Sequence, residues 1–163
     1  FTGSRCTDVI KTVTDTNDML ARESFDSMFV TLFYGVYNTR TGVVQYVNAG
    51  HNPPYILKAN GEVKELAYSK NISMGVLEEF PYQAEELTLE HGDTLITFTD
   101  GVTEACDTSD KLYGEPKLEA LLATLSGKTA EEITNAINAD VALHATGAEQ
   151  SDDITMLCFK YKV

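Results

Sequence analysis

The sequence predicts an α+β fold, a layered sandwich of antiparallel β-sheets covered by helices, on three observations. β-Rich runs come in pairs joined by glycine-containing turns. Apolar residues at helical spacing are confined to separate segments. The last strand carries apolar side chains on both faces, as a strand inside a layered core does. With 163 residues the chain is long enough to bury a real core, so residues 1–163 are expected to form one domain.

Taken in order, Ile10, Val13, Asn17 and Leu20 recur at helical spacing from Thr7 to about Ala21, with Thr7 as the candidate cap. "MFVTLFYGVYNTRTGVVQYVNAG" reads as a hairpin turning at Asn38 to Gly42, and "PPYILKANGEVKELAY" as a second turning at Asn60-Gly61. In the first, Val44, Tyr46 and Asn48 alternate with Val43, Gln45 and Val47. Residues 69–84 have no period and contain Gly75 and Pro81, which predicts an irregular flap. "EELTLEHGDTLITFT" predicts a third hairpin with His91-Gly92-Asp93 as its turn. A helix follows with Pro116 in its first turn and Leu118, Leu121, Leu122 and Leu125 along one side. Thr129 and Glu132 form a T-x-x-E capping box opening another, which carries Ile133, Ala136, Ile137 and Val141. "DITMLCFKYKV" ends the chain with Ile154, Met156 and Cys158 on one face and Leu157, Phe159 and Tyr161 on the other.

The 25 acidic against 12 basic residues leave a formal charge of −13, without a local basic patch. Such a chain repels nucleic-acid phosphates and anionic membrane surfaces, so neither is expected as a partner. The acidity is dispersed, as on a solubilising surface. Cys6, Cys106 and Cys158 show no C-x-x-C spacing, and their odd number fits a reducing, cytoplasmic setting. Cys158, inside an apolar strand, reads as a core thiol. No signal-peptide pattern is present and no apolar run approaches about 18 residues. The chain begins without Met, and is expected to be a piece of a longer protein.

Chemistry concentrates at two strand ends. Asp100 follows "TLITFT", and Asp152 precedes "ITMLCF". If those strands pair antiparallel, both carboxylates fall at one sheet edge. Hard oxygen donors with no His or Cys among them suit Mg²⁺ or Mn²⁺ rather than Zn²⁺. A turn at Asp-Gly and a cap at Ser-Asp-Asp account for the same residues, and spacing leaves both readings open. Gly101 is expected to let the backbone turn sharply past the site.

"FVTLFYGV", "NAGHNPP", "TDGVTEA" and "SDDIT" occur in an order and approximate spacing that resemble the C-terminal part of the metal-dependent serine/threonine protein phosphatases (PPM). The resemblance is closest to the bacterial branch typified by the sporulation phosphatase SpoIIE and the stress-response phosphatase RsbU. It covers about residues 28–160. It implies an α-β-β-α architecture, here incomplete at the N-terminus, and two Mn²⁺ or Mg²⁺ ions in the complete domain. It places metal ligands at Asp100 and Asp152, with Asp153 a supporting or alternate ligand. His51, in the "NAGHNPP" signature, is either an acid or substrate contact or a residue that orders its turn. His91 and His144 are expected to be structural or solvated. The flap at 69–84 matches a variable segment that could touch a protein substrate.

The implied reaction is attack of an activated water on a phosphoserine or phosphothreonine, without a covalent phosphoenzyme. The implied partners are a phosphorylated regulatory protein, such as an anti-sigma-factor antagonist, and a sensor or receiver domain preceding the catalytic one. The family's first metal-binding block resembles G-G-D-x-x-D, and nothing like it precedes Asp100. The chain is therefore expected to hold about half of a two-metal site and to be inactive alone. Two rivals stand beside the phosphatase. One is a catalytically incomplete interaction module that binds a phosphoprotein or forms a homodimer through sheet edges. The other is a phosphoesterase of small molecules.

Overall fold

The computed structural model describes residues 8–23, 28–150 and 152–162. In chain order the elements are α1 (Val9–Glu23), β1 (Leu32–Tyr37), β2 (Val43–Ala49), β3 (Tyr55–Leu57), β4 (Val63–Glu65), β5 (Glu85–Thr88), β6 (Thr94–Phe98), α2 (Asp100–Thr103), α3 (Glu115–Ala123), α4 (Ala130–His144) and β7 (Met156–Lys160). They make an α+β fold with antiparallel sheets and flanking helices. The chain divides into two compact units, Phe1–Pro53 with Ala67–Leu89 and Pro54–Leu66 with Glu90–Val163.

The first unit is a sheet in the order β1-β2-β5 with α1 against β1 and β2. β1 and β2 pair from Leu32↔Ala49 to Tyr37↔Val44. Their turn closes through Asn38 N–H to Val43 O at 2.8 Å and Gly42 N–H to Asn38 O at 3.0 Å, with Gly42 at φ 75°. Gly42 thus supplies the left-handed conformation that the predicted turn requires. The expected cap Thr7 lies outside the described residues. Asp8 takes that place, its carboxylate accepting from Lys11 N–H at 3.1 Å. Val9, Val13 and Asn17 form the buried stripe of α1, and Ile10, expected on it, is 41% exposed because it sits at the stripe's edge.

Asn17 is fully buried and explains the segment at 69–84. Its side chain donates to Leu77 O at 2.9 Å and accepts from Gly75 N–H at 3.0 Å and Tyr82 Oη–H at 3.1 Å. Met74 bridges to Val30 through paired backbone bonds of 3.0 and 2.8 Å, and Met74 and Tyr82 are buried. The segment is irregular, as its lack of period predicts, and it is pinned to α1.

The second unit is a sheet in the order β4-β3-β6-β7 with α4 against β7. The β3–β4 hairpin closes where Asn60-Gly61 predicts, with Lys58 N–H to Glu62 O at 2.8 Å and Gly61 at φ 91°. The predicted third hairpin does not form. β5 pairs with β2 in the first sheet, whereas β6 pairs with β3 and β7 in the second. His91-Gly92-Asp93 is the point where the chain changes sheet. Its anchor is the Asp93 carboxylate, 1% exposed, which pairs with Lys58 at 2.6 Å and accepts from Ala59 N–H at 3.1 Å and Glu90 N–H at 2.9 Å.

The core of this unit gathers Tyr55, Ile96, Phe98, Leu118, Leu122, Ile133 and Ile137. Pro116 lies in the first turn of α3, and the Thr129–Glu132 capping box opens α4 with both of its hydrogen bonds present. The last strand departs from expectation. Met156 and Cys158 pack against the core, but Leu157 on the opposite face is 63% exposed. Burial raises the Cys158 thiol pKa. Cys6 lies outside the described residues, and no helix among those described is long and apolar enough to cross a membrane.

Two expectations follow. Asp93→Ala strands two backbone donors and leaves the Lys58 ammonium with the exposed Glu90 carboxylate as its remaining partner at 2.9 Å, and is expected to cost about 3 kcal/mol, read as a lower urea midpoint at unchanged slope. Burial also lifts the Tyr46 and Tyr82 phenols from 10.0 to about 12, and raises Tyr55 and Tyr113. Each phenol holds its proton more tightly when folded, so its contribution is complete below pH 10.0 and is lost as pH rises through the folded value. The part of the tyrosinate absorbance that belongs to these four phenols, identified by Tyr→Phe substitution one at a time, should therefore appear together with unfolding rather than ahead of it.

Candidate functional site

The register of the second sheet gathers the predicted carboxylates. β6 and β7 pair antiparallel from Thr94↔Lys160 to Phe98↔Met156, so the end of β6 and the start of β7 share one end of the sheet. Asp100, two residues past β6, opens α2, and Asp152 and Asp153 lie just before β7. Val102, fully buried, anchors α2 in the core, and Ile154 packs there from the other side of the site. All three carboxylates are exposed on this buried base.

The junctions are held by the backbone. Thr99 N–H donates to Thr155 O at 3.0 Å, continuing the ladder one step beyond β6. The Thr99 hydroxyl donates to Asp153 O at 2.9 Å and accepts from Thr155 N–H at 3.0 Å. Asp100 Oδ1 accepts from Gly101 N–H at 3.0 Å, and Asp152 Oδ1 from Asp153 N–H at 2.6 Å. Gly101 does not make the sharp turn expected of it, since it lies within α2. A Cβ there would stand 2.6 Å from Asp153 O and 3.0 Å from its carbonyl carbon. Glycine is required because the Asp152–Asp153 backbone crosses directly over it.

These oxygens have the hard-donor chemistry that Mg²⁺ and Mn²⁺ prefer, and among the described residues no Lys or Arg is paired with them. Also among the described residues, no group of three or more His, Cys, Asp or Glu is gathered closely enough to hold a metal ion. The donor type fits such a cation, and the donor number is short of a complete site.

His51 belongs to the first unit. Asn48, 3% exposed, clamps its turn from both sides, accepting from His51 N–H at 2.8 Å and donating to His51 O at 2.9 Å. Gly50 is at φ 73°, and a Cβ on it would stand 3.0 Å from Ser73 N. Asn71 donates to Asn48 O at 3.1 Å and to Gln83 O at 2.9 Å, completing the rim of a depression of about 380 Å³ that includes His51, Asn52 and Tyr68. His144 ends α4, with Nε2 2.9 Å from Lys111 O and its ring edge-on to Tyr113. His91 is exposed at the sheet-changing turn. The residues that sequence reasoning passed over are Thr99 and Asn48. An Asn three residues before a His-Asn-Pro-Pro turn is a legible side-chain-to-backbone signal, whereas Thr99 has none without its partner segment.

Comparison with known proteins agrees with this architecture. Solved structures share the fold, two of them as follows. The RsbU and RsbW domains of Rv1364c from Mycobacterium tuberculosis superpose with a TM-score of 0.77 at 20% identity, over 98% of this chain and 43% of that one. The phosphatase domain of SpoIIE from Bacillus subtilis gives 0.69 at 18% identity, over 98% of this chain and 69% of that one. The fold is therefore that of the PPM-type phosphatases.

In sequence, the chain is 38% identical over 144 residues to Protein IcfG of Synechocystis sp., covering 87% of this chain and 22% of that protein. It is 30% identical over 137 residues to the phosphoserine phosphatase RsbU of Bacillus subtilis, covering 84% of this chain and 40% of that one. The family described as Stage II sporulation protein E (SpoIIE) matches residues 3–162, and the chain belongs to that family, in its SpoIIE/RsbU branch. It spans well under half the length of either curated relative.

Gly101→Ala tests the crossing. The added methyl must push the Asp152–Asp153 backbone away, at an expected cost of about 1–3 kcal/mol in unfolding free energy. Amide exchange at Asp153 and Thr155 should accelerate, while that at Tyr161, bonded to Asp93 O at 2.9 Å, should not.

Proposed function

We propose that the chain is the C-terminal portion of a metal-dependent protein serine/threonine phosphatase, acting on phosphoserine or phosphothreonine of a regulatory protein in bacterial signalling. The observation that carries this reading is the convergence of Asp100 and Asp152 at one sheet end, in a chain of this family. A phosphorylated anti-sigma-factor antagonist is the proposed substrate, and a sensor or receiver domain the proposed upstream neighbour. A cytoplasmic setting is proposed with them.

In this reading Asp100 and Asp152 hold a divalent cation, Mn²⁺ or Mg²⁺, and Asp153 supports or replaces one of them. Such an ion supplies Lewis acidity toward water and offsets charge on the transferring phosphoryl group. The carboxylates supply fixed negative charge on rigid strand ends, so little reorganisation accompanies reaction. The Asn48 clamp supports a turn-ordering role for His51.

The second reading is a catalytically incomplete module that binds a phosphoprotein or pairs with a second copy through its sheet edges. It is favoured by one observation, the lack of a three-ligand group among the described residues.

In the intact phosphatase, Asp100→Asn and Asp152→Asn keep side-chain size and remove charge. Each is expected to lower Mn²⁺-dependent phosphate release from a phosphoprotein by roughly a hundredfold or more, with circular dichroism unchanged. His51→Ala should cost much less. Near-normal turnover by both folded Asp variants would remove them from the site, and an inactive intact protein would favour the interaction module. The 163-residue chain alone is expected to bind Mn²⁺ weakly and to release negligible phosphate.

A further inference from the structure

The end of β6 poses a hydrogen-bonding problem that the hydroxyl at position 99 solves. In an antiparallel ladder, residues that exchange bonds each donate an N–H and offer a carbonyl. Thr99 donates its N–H to Thr155 O at 3.0 Å, and the reciprocal acceptor for Thr155 N–H would be Thr99 O. That carbonyl is instead turned into α2, where it accepts from Val102 N–H at 3.0 Å. The Thr99 hydroxyl takes its place, accepting from Thr155 N–H at 3.0 Å. A hydroxyl retains one proton to give. It goes to Asp153 O at 2.9 Å, drawing the Asp152–Asp153 backbone across Gly101.

One side chain thus lets the strand become a helix and ties both sources of carboxylate to a single point. Asp100 is the residue after Thr99, and Asp153 is the residue whose carbonyl the hydroxyl holds. Among the described residues the carboxylates themselves have local contacts, each of Asp100 and Asp152 accepting from the amide of the residue that follows it.

We infer that Thr99 is the positioning residue of the proposed metal site, setting the spacing of Asp100 from Asp152 and Asp153 through its bifunctional hydroxyl. The inference rests on the phosphatase reading above. Removing the hydroxyl leaves the charge and the ligands in place but releases the Asp153 carbonyl and the Thr155 N–H, so that Asp152 is held by the Gln150 amide at 2.8 Å and no longer through its neighbour to β6. Partners that orient metal ligands are worth about tenfold to a hundredfold in metal affinity.

The test is Mn²⁺ binding by titration calorimetry to the intact phosphatase, with Thr99→Val, Thr99→Ser and Asp100→Asn beside the parent protein. Thr99→Val keeps the β-branched shape and is expected to raise the Mn²⁺ dissociation constant about tenfold or more. Thr99→Ser, which keeps the hydroxyl, is expected to restore most of it. Exchange of the Thr155 amide should accelerate in Thr99→Val while the Tyr161 amide stays protected, which shows that β7 is still folded. The Mn²⁺ concentration for half-maximal activity should rise, with KM for a phosphopeptide unchanged at saturating Mn²⁺. Parental Mn²⁺ affinity in Thr99→Val, or affinity in Thr99→Ser as poor as in Thr99→Val, would overturn the positioning role. Should Thr99→Val fail to fold, Thr99→Ser decides alone, and loss of Mn²⁺ affinity there counts against the inference. Parental affinity in Asp100→Asn would instead overturn the metal-site reading on which it rests.

Discussion

The pairing of β6 with β7 is the constraint on which the second unit depends. These strands are neighbours in the sheet, yet α2, α3 and α4 all lie between them in sequence. Closing so long a connection costs chain entropy, and the cost is met by what the connection buries: Leu118 and Leu122 from α3 and Ile133 and Ile137 from α4 are fully buried against the sheet. The ladder therefore forms only as the helices pack. Once formed, it fixes the separation of two chain segments that carry exposed carboxylates. The candidate site needs no burial of its own, because its backbone rests on Ile96, Val102 and their buried neighbours.

Features with a local cause were legible in the sequence. Turns at Asn38–Gly42 and Asn60-Gly61, the proline opening α3 and the capping box opening α4 each follow from a few adjacent residues. Features with a distant cause were not. The apparent hairpin at 85–98 has the right residues for one. What sends its two strands to different sheets is a buried carboxylate at Asp93 paired with Lys58, 35 positions away. Asn17 looks like one polar residue on an apolar face, and only its contacts with Gly75, Leu77 and Tyr82 reveal it as the anchor of an irregular segment.

The same division runs through the site. That the segments carrying Asp100 and Asp152 share one end of the sheet could be read once the flanking strands were taken as antiparallel neighbours, because register alone decides it. Why Gly101 must be glycine could not, since the backbone that crosses it comes from residues 152–153. The exposure of Leu157 was equally hidden. An alternating apolar strand declares two apolar faces, but what covers each face is a property of the whole fold.

The electrostatics of the sheet end complete the picture. Asp100, Asp152 and Asp153 are exposed at one end of the second sheet in a chain of net charge −13, without a lysine or arginine paired to them among the described residues. Two like charges 4 Å apart cost only about 1 kcal/mol in water, and several times more where water is excluded. Exposure is thus what makes the arrangement tolerable without a cation. It also leaves the oxygens hydrated, and so matched to ions that retain much of their own water when bound. A buried version of this cluster would have required permanent cationic partners, as Asp93 requires Lys58, and those partners would have occupied the donor atoms. The chain keeps its charge pairing and its proposed ligands apart. Asp93 is buried and paired and holds the architecture, while Asp100 and Asp152 are exposed and, among the described residues, without a lysine or arginine partner, on a backbone held by the Thr99 hydroxyl.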